Sequence, residues 1–379
     1  MAAPASTRAG SPPLPASAST APRTTGASTA PLSAGARPAP RSAGASTAPP
    51  SAGASQPATA GRPSRVDALT WRLALANLVA QIGIIVTGGA VRLTGSGLGC
   101  SEWPMCEPGS FTPVFHPETA FHSAIEFGNR TLTGVLGVIA VALLWAVYRR
   151  QPTASRPAAL KRLAWVPLIG IALQAVVGGV TVWLDLHPAV VGSHMLISLV
   201  LVAVSTYLLV RLRSADGPSR PLLTPPARAL PWVLAVLTAI MVTLGTVVTG
   251  AGPHSGDDTA PYRYAVDPVL VTRLHSASVW LFLGAVVVGG ALLQRRRAQP
   301  ELAGARRMWD WLLAVTVLEG VIGYTQHLTG LPVLLVGLHM LGAALVVVAV
   351  TFVASALYER RPDGSADLRL PRDAATAST

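Results

Sequence analysis

From Val66 onward, polar residues retreat into short connections, and the chain becomes a succession of apolar runs of about 20 residues, long enough to cross a hydrocarbon core of about 30 Å. Eight such runs lie near Trp71 to Leu93, Phe121 to Tyr148, Leu163 to Leu184, Val190 to Val210, Leu230 to Gly250, Val269 to Leu293, Trp309 to His327 and Pro332 to Tyr358. The pattern predicts an all-α integral membrane protein with eight transmembrane helices. It also repeats. Gln174-Ala-Val-Val-Gly178 and Gly192-Ser-His194-Met-Leu196 return at a constant offset as Glu319-Gly-Val-Ile-Gly323 and Gly337-Leu-His339-Met-Leu341. The first and fifth spans end alike, in Val86-Thr87-Gly88 and Val248-Thr249-Gly250, and the second and sixth then align Asn129 with His275. With four spans per unit both halves share one orientation, which predicts two four-helix bundles related by a pseudo-twofold axis along the membrane normal.

The segment before the first span changes this picture at one end only. Residues 1–65 are almost wholly Ala, Ser, Thr, Pro and Gly, hold no acid, and repeat Gly26-Ala-Ser-Thr-Ala-Pro31 as Gly44-Ala-Ser-Thr-Ala-Pro49. No core can be built from that composition, so a disordered cytoplasmic tail is expected. The N-terminal bundle is assigned to residues 66–213, the C-terminal bundle to 214–360, and a second cytoplasmic tail to 361–379. The chain is 51% hydrophobic and 12% charged, with a net charge of +12. That charge follows membrane topology and does not call for nucleic acid. Arg149, Arg150, Arg156, Lys161 and Arg162 fill one connection, Arg211, Arg213, Arg220 and Arg228 the next, and Arg295, Arg296, Arg297, Arg306 and Arg307 a third. The alternate connections hold Glu102, Glu107, Glu118, Asp185, Asp257, Asp258 and Asp267. The positive-inside rule then puts both termini in the cytoplasm of a multi-pass protein of the cell membrane, with lipid around it.

Candidate chemistry lies in one outer layer. His194, His275 and His339 each fall about 8 to 10 Å inside the outer end of a span, at helical rise. Imidazole inside a span is costly unless paired, ligated or wet, so its return at one register is a functional signal. His275 and His339 come from different helices of one bundle, which lets two imidazoles ligate a haem iron from opposite faces. In the first half Asn129 stands where His275 stands, and three readings compete for His122, which precedes it on the same helix face. His122 ligates a displaced haem, or His194 ligates alone, or His122 is a polar residue at the membrane surface. His116, His187, His254 and His327 are expected to face solvent in or beside external loops.

Glu126 lies between His122 and Asn129, with Arg130 next to the layer, and suits proton delivery or general acid–base work; a structural salt bridge with a neighbouring arginine is the alternative. Glu319 aligns with Gln174, so that position asks for polarity. Arg130, Arg273 and Arg92 lie near outer span ends, where haem propionates would meet the headgroups, and snorkelling explains them almost as well. Cys100 and Cys106 share the first external loop, where an oxidising compartment favours a disulfide. So small a loop stabilises little and is expected to expose its sulfurs, leaving structural and redox roles evenly matched.

Taken together, Thr87-Gly88-Gly89-Ala-Val-Arg92-Leu-Thr-Gly-Ser-Gly-Leu-Gly-Cys100-Ser-Glu-Trp103-Pro104-Met-Cys106, Glu126-Phe-Gly-Asn129-Arg130, Gly192-Ser-His194-Met, Arg273-Leu-His275-Ser and Gly337-Leu-His339-Met resemble the haem A synthase (CtaA) family of cytochrome oxidase assembly enzymes. The resemblance runs from about Val66 to Tyr358 and leaves out the first tail. It implies haem b in the C-terminal half, on residues matching His275 and His339, and haem O as substrate in the N-terminal half, with His194 matching a ligand there. A ring methyl would be oxidised to a formyl group by successive hydroxylation and loss of water from the geminal diol. Glu126 matches the family's catalytically important glutamate, and Cys100 and Cys106 match a disulfide-forming pair. Asn129 departs from the family's Glu-x-x-His pattern at the histidine.

The leading expectation is therefore a membrane haem-dependent oxidoreductase that converts haem O to haem A for cytochrome oxidase assembly. Pathway logic adds haem O synthase and cytochrome oxidase assembly factors as partners, with a homo-oligomer left open. The alternatives are a non-catalytic dihaem b-type electron carrier, and a quinone-linked thiol oxidoreductase acting through Cys100 and Cys106. A transporter ranks last, because the polar residues cluster in one layer and trace no route across the bilayer.

Overall fold

The computed structural model describes residues 65–114, 120–257 and 262–360. The tail expected over 1–65, apart from Arg65, lies outside the described residues, as do the tail expected over 361–379, His116, Glu118 and Asp258. Eight long helices follow in order: α1 (Ala68–Leu93), α2 (Ala120–Arg149), α3 (Ala158–Trp183), α4 (Pro188–Arg213), α5 (Leu230–Ala251), α6 (Pro268–Arg295), α7 (Ala303–Leu328) and α8 (Val333–Ala356). Seven are long and apolar enough to cross a membrane, so this is an all-α integral membrane protein. The exception is α7, whose run is diluted by Asp310, Glu319, Gln326 and His327.

The helices begin and stop for local reasons. Asp67 accepts the amides of Leu69 and Thr70 at the start of α1, satisfying donors that a helix start leaves unpaired. Asp267 does the same for Val269 at α6. At the far end of α4, Arg156 is 7% exposed and its guanidinium donates to the carbonyl oxygens of Leu212, Arg211 and Ser214 while pairing with Asp216. One of the basic residues assigned to topology is thus a buried C-terminal cap. A short antiparallel ribbon, β1 (Ser219–Pro221) against β2 (Tyr358–Arg360), ties the connection between the halves to the end of α8. The apolar pattern gave no sign of these strands, which are only three residues long.

In the first half α1 lies beside α2 and α4, with α3 closing the ring against α2 and α4; in the second, α5 lies beside α6 and α8, with α7 against α6 and α8. The halves meet where α1 and α4 pack on α8 and α4 on α5. Their duplication is visible in the turns. The α3–α4 turn places Asp185 and Leu186 at φ of 46° and 60°, and the α7–α8 turn places Gly330 and Leu331 at 78° and 61°. Leu186 N–H returns to Thr181 O and Leu331 N–H to Gln326 O, each at 2.8 Å, the six-to-one bond of a helix C-terminus.

Two apolar cores hold the bundles. One gathers Leu78, Leu143, Val147, Leu160, Val202, Leu208 and Leu212, the other Leu234, Phe282, Val286, Leu293, Trp309 and Leu312. Both fill the half of the bundle away from the histidines. Buried residues stop at Thr316 in α7 and start at Ala344 in α8, so these two helices are only partly covered in the outer third of that bundle.

Candidate functional site

In the outer third of the second bundle His275 and His339 meet. Their ring centroids are 6.4 Å apart, with the planes crossing at 89°. His275 on α6 turns its Nδ1 to Met241 O of α5, 3.1 Å away, which fixes that nitrogen as a donor and leaves Nε2 for another partner. His339 on α8 turns its Nδ1 to Glu319 of α7 at 2.9 Å. That pair is close but misaligned, so both carboxylate oxygens remain buried without a hydrogen bond. A glycine backs each ring: a Cβ at Gly245 would lie 3.2 Å from His275 Cε1, and one at Gly323 3.1 Å from His339 Cε1. Gly342 likewise leaves room for the Glu319 carboxylate.

These observations fit a haem. With imidazole–metal bonds of about 2 Å on either side, as first-row metals form them, two ligating rings have centroids about 6 Å apart. Both Nδ1 atoms are directed at oxygen on the protein, the arrangement that orients imidazole ligands and raises their basicity. Among the described residues no three His, Cys, Asp or Glu side chains converge to hold a bare ion. One or two imidazoles are what a porphyrin's axial positions require.

The first bundle repeats the frame with different occupants. A Cβ at Gly178 would lie 3.4 Å from His194 Cε1, and one at Gly88 3.9 Å from Asn129 Nδ2. Gly88 is therefore the counterpart of Gly245, a register different from the sequence match of Thr87-Gly88 with Thr249-Gly250. Identical letters gave that match, whereas Gly250 is small for another reason, being pressed on Tyr264 and Pro188. Asn129 Oδ1 accepts from Thr87 Oγ1 at 2.8 Å. His194 Nδ1 is buried with no partner, and Gln174, the counterpart of Glu319, donates to His194 O and Ser198 Oγ and leaves the ring alone.

Above this bundle the first external loop is bolted down. Glu126 is 6% exposed and accepts Cys100 N–H at 2.7 Å on one oxygen and the Arg130 guanidinium on the other. Arg130 also donates to Glu102 O at 2.9 Å and Met105 O at 2.8 Å. It meets the loop here, and no free donor face is left toward a propionate. Trp103 packs edge-on to Trp183 at 5.3 Å and fills the hollow at Gly179. Cys100 and Cys106 form a disulfide, and both are 0% exposed, which corrects the expectation of exposed sulfurs. The loop's small size was legible; its anchoring by Arg130 of α2 and its packing through Trp103 on α3 were not.

The remaining candidates spread out. His122 is half-buried, two turns nearer the outer end than Asn129, with its Nδ1 2.9 Å from Ser96 Oγ. Arg273 is exposed, and Arg92 reaches Thr249 O at 3.0 Å. His254 does not simply face solvent: half-buried, its Nε2 lies 3.1 Å from Leu331 O, joining the two external loops of the second half. His187 and His327 are exposed, His187 beside the first turn of α4. Sequence reasoning missed Met241, Thr87 and the backing glycines. Glycine one helix before each histidine was the available signal.

Known proteins with similar sequences share one description. A heme A synthase of Symbiobacterium thermophilum is 29% identical over 282 residues, covering 68% of this chain and 88% of that relative. One from Exiguobacterium sibiricum is 30% identical over 173 residues, 45% of this chain and 55% of the relative. One from Bacillus pumilus is 35% identical over 119 residues, 31% and 36% of the two chains. The family described as cytochrome oxidase assembly protein, COX15-CtaA, matches residues 71–351, which takes in every helix that carries the layer. The chain belongs to the COX15-CtaA family.

Proposed function

We propose that this protein is a haem A synthase, a membrane oxidoreductase that converts haem O to haem A for cytochrome oxidase assembly. The observation that carries the reading is the opposed pair His275 and His339, at a separation fitting an iron between them, inside a chain of this family. These two residues would hold a resident haem b, and the first bundle would receive haem O against His194. Bound haem would supply the redox chemistry for taking a ring methyl through alcohol and geminal diol to formyl with loss of water. The change is a net four-electron oxidation, whose electrons pass to an external oxidant and whose oxygen comes from water or dioxygen.

The protein's part is to orient and to manage protons. Glu126 is the carboxylate nearest the first-bundle layer on α2, one turn from Asn129. Its charge is balanced by Arg130 and its position fixed by Cys100 N–H, so it can hold or release a proton without leaving its place. The loop folds over Glu126 and buries both sulfurs, which supports a role for the disulfide in shaping the site over one in thiol exchange. Orientation with both termini cytoplasmic rests on the basic connections, and it puts the layer near the outer face of the cell membrane. Haem O synthase and cytochrome oxidase assembly factors are the proposed neighbours, since they would deliver this substrate and take this product.

The test is to express the full chain in cells that make haem O but no haem A, then extract and separate the haems. A formyl-bearing haem appears with the native chain and is lost with Glu126→Gln, while the haem held by His275 and His339 stays. Spectrally intact protein that yields no formyl haem would leave an electron carrier and end the proposal.

A further inference from the structure

We infer that Asn129 makes the first bundle a one-imidazole haem site, in which His194 is the sole protein ligand and the Asn129 amide faces an open axial position. This rests on the reading above that the first bundle takes haem O. The backing glycines set the frame. Gly88 stands to Asn129 as Gly245 stands to His275, so the Asn129 side chain occupies the space of the second ligand of a matched pair. An amide cannot fill that role. Its nitrogen lone pair is delocalised into the carbonyl, and its oxygen, a poor partner for haem iron, is already committed to Thr87 Oγ1 at 2.8 Å. With Oδ1 held, Nδ2 is the amide's remaining polar end, and it forms no hydrogen bond among the described residues.

His194 completes the argument from the other side. Its Nδ1 is buried without a partner, whereas His275 bonds through Nδ1 to Met241 O and His339 sets its Nδ1 2.9 Å from the Glu319 carboxylate, close but out of line for a hydrogen bond. A ligand so placed is less firmly oriented, and it acts without an opposing imidazole. His122 stands too far along α2 to replace Asn129 in this frame, although its Nε2 is left free among the described residues. Two helical turns, about 10 Å, separate its backbone from that of Asn129, and its ring is held at that level by Nδ1 on Ser96 Oγ at 2.9 Å. The open position would therefore take water or another small exogenous molecule, with Asn129 Nδ2 as the hydrogen-bond donor beside it. Such a site suits a haem that must leave as product. A haem held between two imidazoles suits a cofactor that stays.

Carbon monoxide reports an open axial position on reduced haem, and ferric spin state reports it independently of activity. Full-length protein from cells supplying haem b and haem O is expected to hold one low-spin haem indifferent to carbon monoxide and a second, high-spin haem that binds it. Asn129→His should turn the second haem low-spin and abolish its carbon monoxide response. Asn129→Gln, the gentler change, should keep that response. His194→Ala should lose the second haem and keep the first. A native second haem that is low-spin and indifferent to carbon monoxide, in protein that still makes formyl haem, overturns this inference and leaves the enzyme reading standing. A carbon monoxide response that arises only in His122→Ala also overturns it, by making His122 the opposite ligand. Protein with no second haem and no formyl product overturns both.

Discussion

Four glycines that back the layer give a graded test of its geometry. In Gly323→Ala and Gly245→Ala the new methyl lies 3.1 and 3.2 Å from an imidazole carbon; in Gly178→Ala it lies 3.4 Å from His194 Cε1, and in Gly88→Ala 3.9 Å from the Asn129 amide nitrogen. Carbon atoms pack best at about 3.5 to 4.0 Å, so the first two changes overlap by about half an ångström and the last does not. A free ring would swing aside. His275 is tied through Nδ1 to Met241 O, and iron on Nε2 would pin its other end. Overpacking of a fixed group costs about 1 to 3 kcal/mol. Alanine returns about 0.5 to 1 kcal/mol by its better helix propensity, in the apoprotein as well as the holoprotein, so retention of haem sees the whole clash. At about 1.4 kcal/mol per decade this is a 5- to 150-fold weaker hold for Gly323→Ala and Gly245→Ala. Gly178→Ala should have a small effect at the first-bundle site, and Gly88→Ala should be neutral there or slightly more heat-stable. The assay is the rate of haem transfer from purified protein to an excess of an apoprotein acceptor, followed optically. Equal transfer rates across all four variants would refute the assignment of these rings as ligands.

Three further outcomes follow from single contacts. Glu319→Gln keeps the shape but weakens the acceptor facing His339 Nδ1, so the haem of the second bundle should be held about 10- to 100-fold less tightly, with its reduction potential raised; potentiometric titration showing no change would remove Glu319 from the ligand's support. Arg130→Lys keeps the charge near Glu126 but cannot span the carbonyl oxygens of Glu102 and Met105, so the buried disulfide should become reducible by a water-soluble thiol at a measurably faster rate; an unchanged rate would show that these bonds do not guard it. Asp67 loses a little solvation at its site, which raises its pKa, but hydrogen bonds from Thr70 and Arg150 win and hold the carboxyl below its ordinary value. Its contribution is therefore present above the unfolded carboxylate range and lost as pH falls through the lowered folded value. Asp67→Ala should cost about 1 kcal/mol at neutral pH by thermal unfolding in detergent, and the gap to the native protein should close in acid. A gap that persists there would assign the loss to packing.

The spans and the histidines were legible because their physics is local. A run of about 20 apolar residues has one solution in a bilayer, and an imidazole within it stands out whatever its neighbours do. The duplication was legible through Gly178 and His194 against Gly323 and His339, and the matched turns at Leu186 and Leu331 follow the same offset. What the sequence hid depends on neighbours far along the chain. Cys100 and Cys106 are buried in a loop that Arg130 of α2 anchors and Trp103 packs on Gly179 of α3, and the ribbon of Ser219–Pro221 with Tyr358–Arg360 joins segments that only folding brings together. The true counterpart of Gly88 was hidden by coincidence of letters: Thr249-Gly250 looks like Thr87-Gly88, but the space a side chain must leave for a ring is set at Gly245.

That same comparison bears on why a duplicated frame would keep two unlike halves. Where α7 offers Glu319 to the ring of His339, α3 offers Gln174 to the backbone of His194. Where α6 presents His275, braced by Met241 O, α2 presents Asn129, braced by Thr87. Both differences act in one direction. Each removes from the first bundle a feature that tightens a metal's hold: a second imidazole, and an acceptor behind the first. Drift would loosen either half without preference, whereas a protein that keeps one haem and passes on another needs the loosening confined to the half that exchanges. The external loop lies over that half, anchored through Glu126 and Arg130 on α2, and so the carboxylate proposed for proton chemistry stands beside the haem that would be altered. If the roles were reversed, with the resident haem in the first bundle, the buried acid would sit beside a group that undergoes no change of its own, and the better-held site would have to release its occupant at every turnover.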